Sequence, residues 1–130
     1  MGGRACEHVG VIVVTRYVVP REEATAFAGL CREAIDALAA RPGFLAAQAG
    51  QALDDPTLWV LATTWDSVGS YRRALSNADV KMRAVPLMYR AVDEASAFEG
   101  RLTAAAGEPV VEHLSALAPS SDAEPGPGPR

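Results

Sequence analysis

Residues Leu58–Tyr71, with the sequence LWVLATTWDSVGSY, decide the fold of this chain. The first eight are rich in Val, Leu, Thr and Trp, a composition that favours a β-strand. Asp66 or Ser67 then offers a side-chain oxygen that can cap the first free N–H groups of a helix. Trp65 therefore stands where a predicted strand ends and a helix begins, and Tyr71 lies about one helical turn further on. An indole and a phenol at such a junction can form the wall of a pocket.

The residues before this junction predict a strand and a long helix. β-Branched residues dominate Val9–Val19, and because its apolar residues do not alternate with polar ones, we expect a strand covered on both faces. Pro20 ends this strand. Arg21–Ala40 carries one apolar stripe at helical spacing and ends at the Pro-Gly pair that follows Arg41.

The remaining elements complete an α+β pattern. They are a strand at Phe44–Leu53, a strand at Leu58–Trp65, a helix at Ser67–Ser76, a further helical turn or two at Val80–Val85, and a strand at Val92–Phe98. The order β-α-β-β-α-β predicts a ferredoxin-like split β-α-β antiparallel sheet with helices on one face.

The opposite face of this sheet is predicted to be apolar as well, so a second copy of the chain is expected to cover it in a homodimer. Residues 1–7 are expected to be an irregular lead-in, and 8–100 to form the ferredoxin-like domain. Residues 101–117 form an extension with a short predicted helix at Glu108–Leu117. The Pro- and Gly-rich residues 118–130 are predicted to be disordered.

Composition narrows the functional classes. The chain has 130 residues, which suits one domain. Its net charge of -4 and pI near 5.1 argue against nucleic acid as a partner. No apolar run approaches the ~20 residues that a membrane helix needs, and no signal peptide is recognisable, so we expect a cytoplasmic protein. The two histidines, His8 and His113, match no metal-ligand spacing, so no metal is expected.

Several short motifs follow one another along the chain. They are Pro42-Gly43-Phe44, Asp54-Asp55-Pro56, Leu58–Thr64 followed by Trp65-Asp66-Ser67, Tyr71, and Ser96-Ala97-Phe98-Glu99. In this order they make the segment from about Val9 to Phe98 resemble the antibiotic biosynthesis monooxygenase family, whose members are dimeric α+β barrels. The resemblance is more specific for the fold than for an activity, because one fold can host several chemistries.

The resemblance implies a pocket between the sheet and the helices of each subunit. In quinone-forming members, oxygen reacts with an electron-rich phenol or anthrone without a flavin, haem or metal. The pocket tryptophan of that family matches Trp65, and its helix tyrosine matches Tyr71, so these two are the expected catalytic residues. A haem-degrading relative would need a histidine on the second helix, and Ser67–Val85 contains none.

One position departs from the family pattern. Quinone-forming members use a strand asparagine shortly before the tryptophan, whereas this chain has Leu61-Ala62-Thr63-Thr64 there, and its only asparagine is Asn77. Thr63 or Thr64 is the candidate hydrogen-bond donor in its place.

Four residues are expected to bind substrate. They are Tyr17 at the end of the first strand, Thr63, Arg83 on the short helical segment, and Tyr89 at the pocket mouth. Arg83 or Tyr17 would hold an oxygen anion, and the alternative for Arg83 is a surface salt bridge. Trp59 is expected to pack in the core.

Three functions follow from these observations. The first is a cofactor-independent monooxygenase acting on an aromatic, polyketide-type phenol or anthrone in secondary metabolism. The second is a cofactor-free cyclase or isomerase of a polyketide-type intermediate. The third is a non-catalytic accessory dimer that binds a small molecule. Dependence on oxygen separates the first from the others.

Overall fold

The computed structural model of the chain describes residues 10–115. These residues form six strands and four helices. The strands are β1 (Val11–Val18), β2 (Phe44–Gln51), β3 (Leu58–Trp65), β4 (Ala97–Glu99), β5 (Leu102–Thr103) and β6 (Val111–Glu112). The helices are α1 (Ala24–Ala39), entered through a 3₁₀ turn at Arg21–Glu23, α2 (Val68–Leu75), α3 (Ala78–Arg83) and α4 (Val85–Met88). No helix within this part of the chain is long and apolar enough to cross a membrane.

Four strands form one antiparallel sheet in the order β2-β3-β1-β4. The connection from β1 through α1 to β2 places β2 beside β3 rather than beside β1. The connection from β3 through α2, α3 and α4 likewise places β4 on the far side of β1. This is the split β-α-β arrangement, so the predicted ferredoxin-like α+β fold is confirmed.

The two faces of the sheet differ in burial. Side chains of β1 alternate, and Val11, Val13, Thr15 and Tyr17 are buried against the helices. The opposite face, which we call the outer face, carries apolar side chains that are open to solvent. They include Ile12 (38% exposed), Val18 (66%), Leu58 (37%) and Phe98 (47%). The expected second apolar face therefore exists within residues 10–115, and in the single chain it is uncovered.

Gly43 positions the first helix against the second. Its φ of +88° is a left-handed conformation that residues with a Cβ rarely adopt. A Cβ at this position would also lie 2.3 Å from the Cβ of Ser70. The chain can leave α1 and enter β2 this close to α2 because residue 43 has no side chain.

Asn77 lies between α2 and α3 and caps the N-terminus of α3. Its Oδ1 accepts hydrogen bonds from the backbone N–H groups of Asp79 at 2.9 Å and Val80 at 3.1 Å. The predicted interruption at Asn77–Asp79 is therefore a helix start rather than a loop, and Pro86 lies in the first turn of α4.

Two expectations for the C-terminal third were wrong in part. The strand expected at Val92–Phe98 is short and later, at Ala97–Glu99. The backbone N–H of Val92 already bonds the carbonyl of Arg16 in β1, but the chain bends at Asp93 and Glu94, and regular pairing with β1 begins only at Ala97. The helix expected over Glu108–Leu117 is absent from its described part. Instead β6 pairs with β5, and Gly107, with a φ of +78°, makes the turn between them. The expected lead-in at 1–7 and tail at 118–130 lie outside the described residues.

Candidate functional site

The strand register brings four of the site's side chains to the helix-covered face. Trp65 lies opposite Val11, Thr63 lies opposite Val13, and Tyr17 lies opposite Trp59. Since side chains two residues apart in a strand share a face, Thr63 and Trp65 project together toward the helices, as do Thr15 and Tyr17. All four are buried, and Trp65 has no exposed surface at all. We call these four residues and Tyr71 the inner cluster.

Trp65 is held from three sides. Its ring meets Phe44 edge-on, with the centroids 5.3 Å apart, and Tyr71 at a tilt, with the centroids 5.7 Å apart. Its indole N–H donates a hydrogen bond of 2.9 Å to Thr63 Oγ1. Of the two predicted capping residues, Ser67 is the one that caps α2, accepting from the backbone N–H of Ser70 at 3.1 Å. The predicted juxtaposition of Trp65 and Tyr71 therefore exists.

Tyr17 forms the far side of the inner cluster. Its hydroxyl shares a 2.9 Å hydrogen bond with Thr15 Oγ1, and its ring lies 5.0 Å from that of Phe27. Burial raises the pKa of Tyr17, the Thr15 hydrogen bond opposes this rise, and the neighbouring Tyr71 adds to it. Both phenols are therefore neutral at pH 7, because burial also raises the pKa of Tyr71.

Tyr71 has the hydroxyl best suited to a ligand. The side chain is only partly buried, and its hydroxyl makes no hydrogen bond to any residue in 10–115. A neutral phenol in this position can donate a hydrogen bond to an oxygen anion, which is the stronger acceptor. Thr63 Oγ1 accepts from the indole and keeps its own proton to donate. Of the two threonines named from the sequence, Thr64 lies opposite Ile12 on the outer face and is away from the inner cluster.

Arg83 does not join the inner cluster. Its guanidinium is paired with the carboxylates of Asp36 at 2.7 Å and of Glu33 and Asp79 at 2.9 Å each. Hydrogen bonds to these carboxylates, that of Asp36 first, raise the pKa of Arg83. The structure therefore favours the salt-bridge alternative, in which Arg83 ties α3 to α1.

The sequence did not indicate Thr15 and Arg90. The guanidinium of Arg90 lies over the ring of Phe27, 5.6 Å from its centroid, and is the positive charge that lowers the pKa of Tyr17. Its contact with a carboxylate is loose, at 4.0 Å to Glu23. Thr15 was detectable as the one threonine in the apolar first strand. Arg90 carried no such signal, because it lies in Leu87–Ala91, a segment whose sequence favours neither a helix nor a strand.

Tyr89 lies outside the inner cluster, at a groove between the helices. It is 86% exposed. Together with four other side chains it lines a cavity of about 580 Å³, which we call the Lys81 groove; the others are Leu75, Lys81, Val85 and Met88. Leu75 follows Tyr71 by four residues on α2, so both lie on one side of that helix. The groove therefore borders the side of α2 that carries Tyr71, one turn away from it, and Tyr89 stands at its mouth.

The inner cluster offers aromatic faces and neutral hydroxyl donors. Within residues 10–115 no group of three His, Cys, Asp or Glu side chains is arranged to hold a metal ion. His113 lies in the β5–β6 hairpin, where its ring nitrogen is 2.8 Å from Thr103 Oγ1. This chemistry suits the binding of a planar ring and the stabilisation of an anion on one of its oxygens.

Comparison with known proteins agrees with this fold. The model of one family, antibiotic biosynthesis monooxygenase, matches residues 10–82, which is more than half of the chain. Among curated proteins, none matches significantly in sequence.

Solved structures match over nearly their whole length. A conserved protein from Methanosarcina mazei Go1 is 20% identical, with a TM-score of 0.60 over 75% of this chain and 95% of that one. A conserved protein from Bacteroides thetaiotaomicron is 11% identical, with a TM-score of 0.62 over 72% and 99%. SnoaB, a cofactor-independent oxygenase from Streptomyces nogalater, is 18% identical, with a TM-score of 0.54 over 86% and 99%. At these identities the likeness shows a shared fold.

Proposed function

The chain belongs to the antibiotic biosynthesis monooxygenase family, and on that premise we propose that it is a cofactor-independent monooxygenase. Its substrate would be an electron-rich phenol or anthrone of the polyketide type. The observation that carries the proposal is the contact between Trp65 and Tyr71, with ring centroids 5.7 Å apart, beside the free proton of Thr63. SnoaB, which shares the fold, is described as a cofactor-independent oxygenase.

The proposed reaction needs only the substrate and oxygen. Loss of a proton converts an anthrone, at its CH₂ carbon, into an electron-rich anion. That carbon gives one electron to O₂, and the two radicals combine to form a C–O bond. The O–O bond then breaks, the second hydrogen leaves as a proton, and the carbon becomes a carbonyl. One atom of O₂ enters the quinone, and the other is released as water.

The protein's part is to bind the ring and hold the anion. Tyr71 would contact the ring of the substrate, and Trp65, buried behind Tyr71, would hold the Tyr71 ring in place. The hydroxyls of Tyr71 and Thr63 would donate to the oxygen that carries the negative charge. Arg90 supplies the positive charge near Tyr17. Because a hydrogen bond to an anion is stronger than one to its neutral acid, these donors lower the pKa of the bound substrate.

We further propose that the chain acts as a homodimer joined through the outer face. Proteins of this family are typically dimers that bind small molecules. Ile12, Val18 and Phe98 expose apolar surface on that face, and burial of such surface stabilises association. Light scattering should give twice the mass of the chain. Val14→Asp in the centre of the face should give a monomer, whereas Leu53→Asp in the exposed β2–β3 turn should not.

Oxygen uptake tests the proposed activity. Purified, metal-free protein is mixed with a panel of anthrones and dihydroxynaphthalenes, and uptake is compared with the spontaneous rate. We expect Trp65→Phe and Tyr71→Phe to lower the rate by about tenfold or more. Trp59→Phe is the matched control, because Trp59 lies on the same strand, opposite Tyr17, and its ring contacts Phe27 rather than Trp65 or Tyr71. Binding without uptake would refute the oxygenase and leave the cyclase or the binding protein.

A further inference from the structure

We propose that the Lys81 groove binds an aromatic molecule bearing an anionic group, and that Lys81 recognises the anion. This inference rests on the proposed function in one respect: it takes the groove to be the entrance to the same site, and so it names the substrate class as an aromatic acid. The groove lies between α2, α3 and α4, and its volume is about 580 Å³. Pockets that hold small organic molecules have volumes of roughly 300–1,000 Å³.

The walls of the groove suit an apolar ring. Four of its five lining side chains are apolar or aromatic: Leu75, Val85, Met88 and Tyr89. Tyr89 is 86% exposed, which leaves a phenol ring facing water at the mouth. Since apolar surface is stabilised when a ligand removes it from water, a planar ring would bind against this wall.

The charge at the groove is positive and uncompensated. Lys81 is the only lysine of the chain, and its ammonium has no ion pair with any carboxylate in 10–115. Arg83, two residues further along the same helix, is paired with three carboxylates. Two residues correspond to a rotation of about 200° around a helix, so the two cations face different sides. Glu33, Asp36 and Asp79 are engaged by Arg83 on its own side of the helix, and Lys81 is left free to attract an anion on the other.

The groove borders the helix that carries Tyr71. Leu75, which lines it, lies one turn beyond Tyr71 on the same side of α2. A ligand whose acid group contacts Lys81 would lay its ring on the apolar wall that includes Leu75, the groove residue one turn from Tyr71. Lys81 would therefore select substrates by an anionic group remote from the carbon that reacts.

Calorimetric binding of a matched pair of ligands tests this inference. The probes are 2-naphthoic acid and 2-naphthamide, which have similar shape and differ in charge at pH 7.5. At low salt we expect the wild-type protein to bind the acid about threefold to fivefold more tightly than the amide, the upper part of the range for an exposed ion pair. Lys81→Met should abolish this preference and Lys81→Arg should retain it. Arg72→Met, which removes an exposed charge of α2 outside the groove, should leave it unchanged.

A second variant places the ring. Tyr89→Ala should weaken the binding of the acid and of the amide by the same factor, because the substitution removes apolar surface from the groove wall and removes no charge. Equal affinity of the wild-type protein for both probes, an unchanged preference in Lys81→Met, or unchanged affinities in Tyr89→Ala would each overturn the inference. Neither probe needs to react. Acid preference without oxygen uptake by anthrones would therefore refute the monooxygenase alone, and uptake without acid preference would refute this inference alone.

Discussion

The indole N–H of Trp65 donates a 2.9 Å hydrogen bond to Thr63 Oγ1, two residues earlier on the same strand. Both side chains are buried, at 0% and 4% exposure. The bond fixes the orientation of the indole and leaves the threonine proton to point elsewhere. The same hydrogen bond therefore stabilises the sheet and sets the geometry of the proposed site.

Thr63→Val should destabilise the fold through this bond. The valine has nearly the same shape but no oxygen, so the indole N–H is left buried without an acceptor, at a cost of about 1–3 kcal/mol. Urea unfolding followed by tryptophan fluorescence measures the difference. Thr63→Ser is the control, because it retains the hydroxyl. A valine variant as stable as the serine variant would show that the bond contributes nothing.

Gly43→Ala should also destabilise the protein. Its φ of +88° strains any side chain, and a Cβ there meets Ser70 at 2.3 Å, so we expect a loss of more than about 1 kcal/mol. Gly29→Ala is the matched change on α1, where a Cβ finds nothing within 4 Å. It should stabilise by about 0.5–1 kcal/mol, since alanine is the better helix former. Thermal unfolding measures the change in stability of both variants. A change in the same direction for Gly43→Ala and Gly29→Ala would contradict this account.

The buried phenols predict a loss of stability in alkali. Burial raises the pKa of Tyr71 above its ordinary value, so the unfolded chain loses this proton at lower pH than the folded chain. The stabilising contribution is therefore complete below pH of about 10 and declines as pH rises above that value. Unfolding free energies at pH 8 and pH 11 should differ less in Tyr71→Phe than in the wild type. The exposed Tyr89→Phe should behave as the wild type does.

Arg83→Gln should affect stability and not catalysis. The three carboxylates around Arg83 are exposed, so the loss should be small and should vanish as salt screens the pairs. Melting temperatures at 20 mM and 1 M NaCl measure this, and oxygen uptake at saturating substrate should match the wild type. A large loss of oxygen uptake with an unchanged melting temperature would contradict this prediction and show that Arg83 acts on the substrate.

The sheet and the junction at Trp65 could be predicted from local sequence. β3 has the predicted bounds, Leu58–Trp65, because a β-rich run followed by a capping residue leaves little choice of where the strand ends. Trp65 and Tyr71 could be paired for the same reason, since Trp65 ends the strand and Tyr71 lies about one turn after the Ser67 cap of the helix that follows. These features depend on neighbours in sequence.

The rest depended on contacts distant in sequence. Arg83 could have faced a pocket or a surface, and the choice was made by Glu33 and Asp36, which lie 50 and 47 residues away. Arg90 lies over the ring of Phe27 because the segment after α4 returns to β1, where the backbone N–H of Val92 bonds the carbonyl of Arg16. The predicted C-terminal helix does not form in the described residues. Val110 and Val111 also suit a β-strand, and the turn at Gly107 lets Val111 pair with Thr103 in a hairpin.

Oxygen-isotope labelling tests the central claim most directly. Metal-free protein is given an anthrone under ¹⁸O₂ in ordinary water, and the quinone is analysed by mass spectrometry as it forms. The account predicts one ¹⁸O atom in each quinone, formed faster than in buffer alone, with the acceleration lost in Tyr71→Phe and kept in Trp59→Phe. Quinone formed no faster than in buffer, or equally fast in Tyr71→Phe, would contradict an oxygenase site at Trp65 and Tyr71.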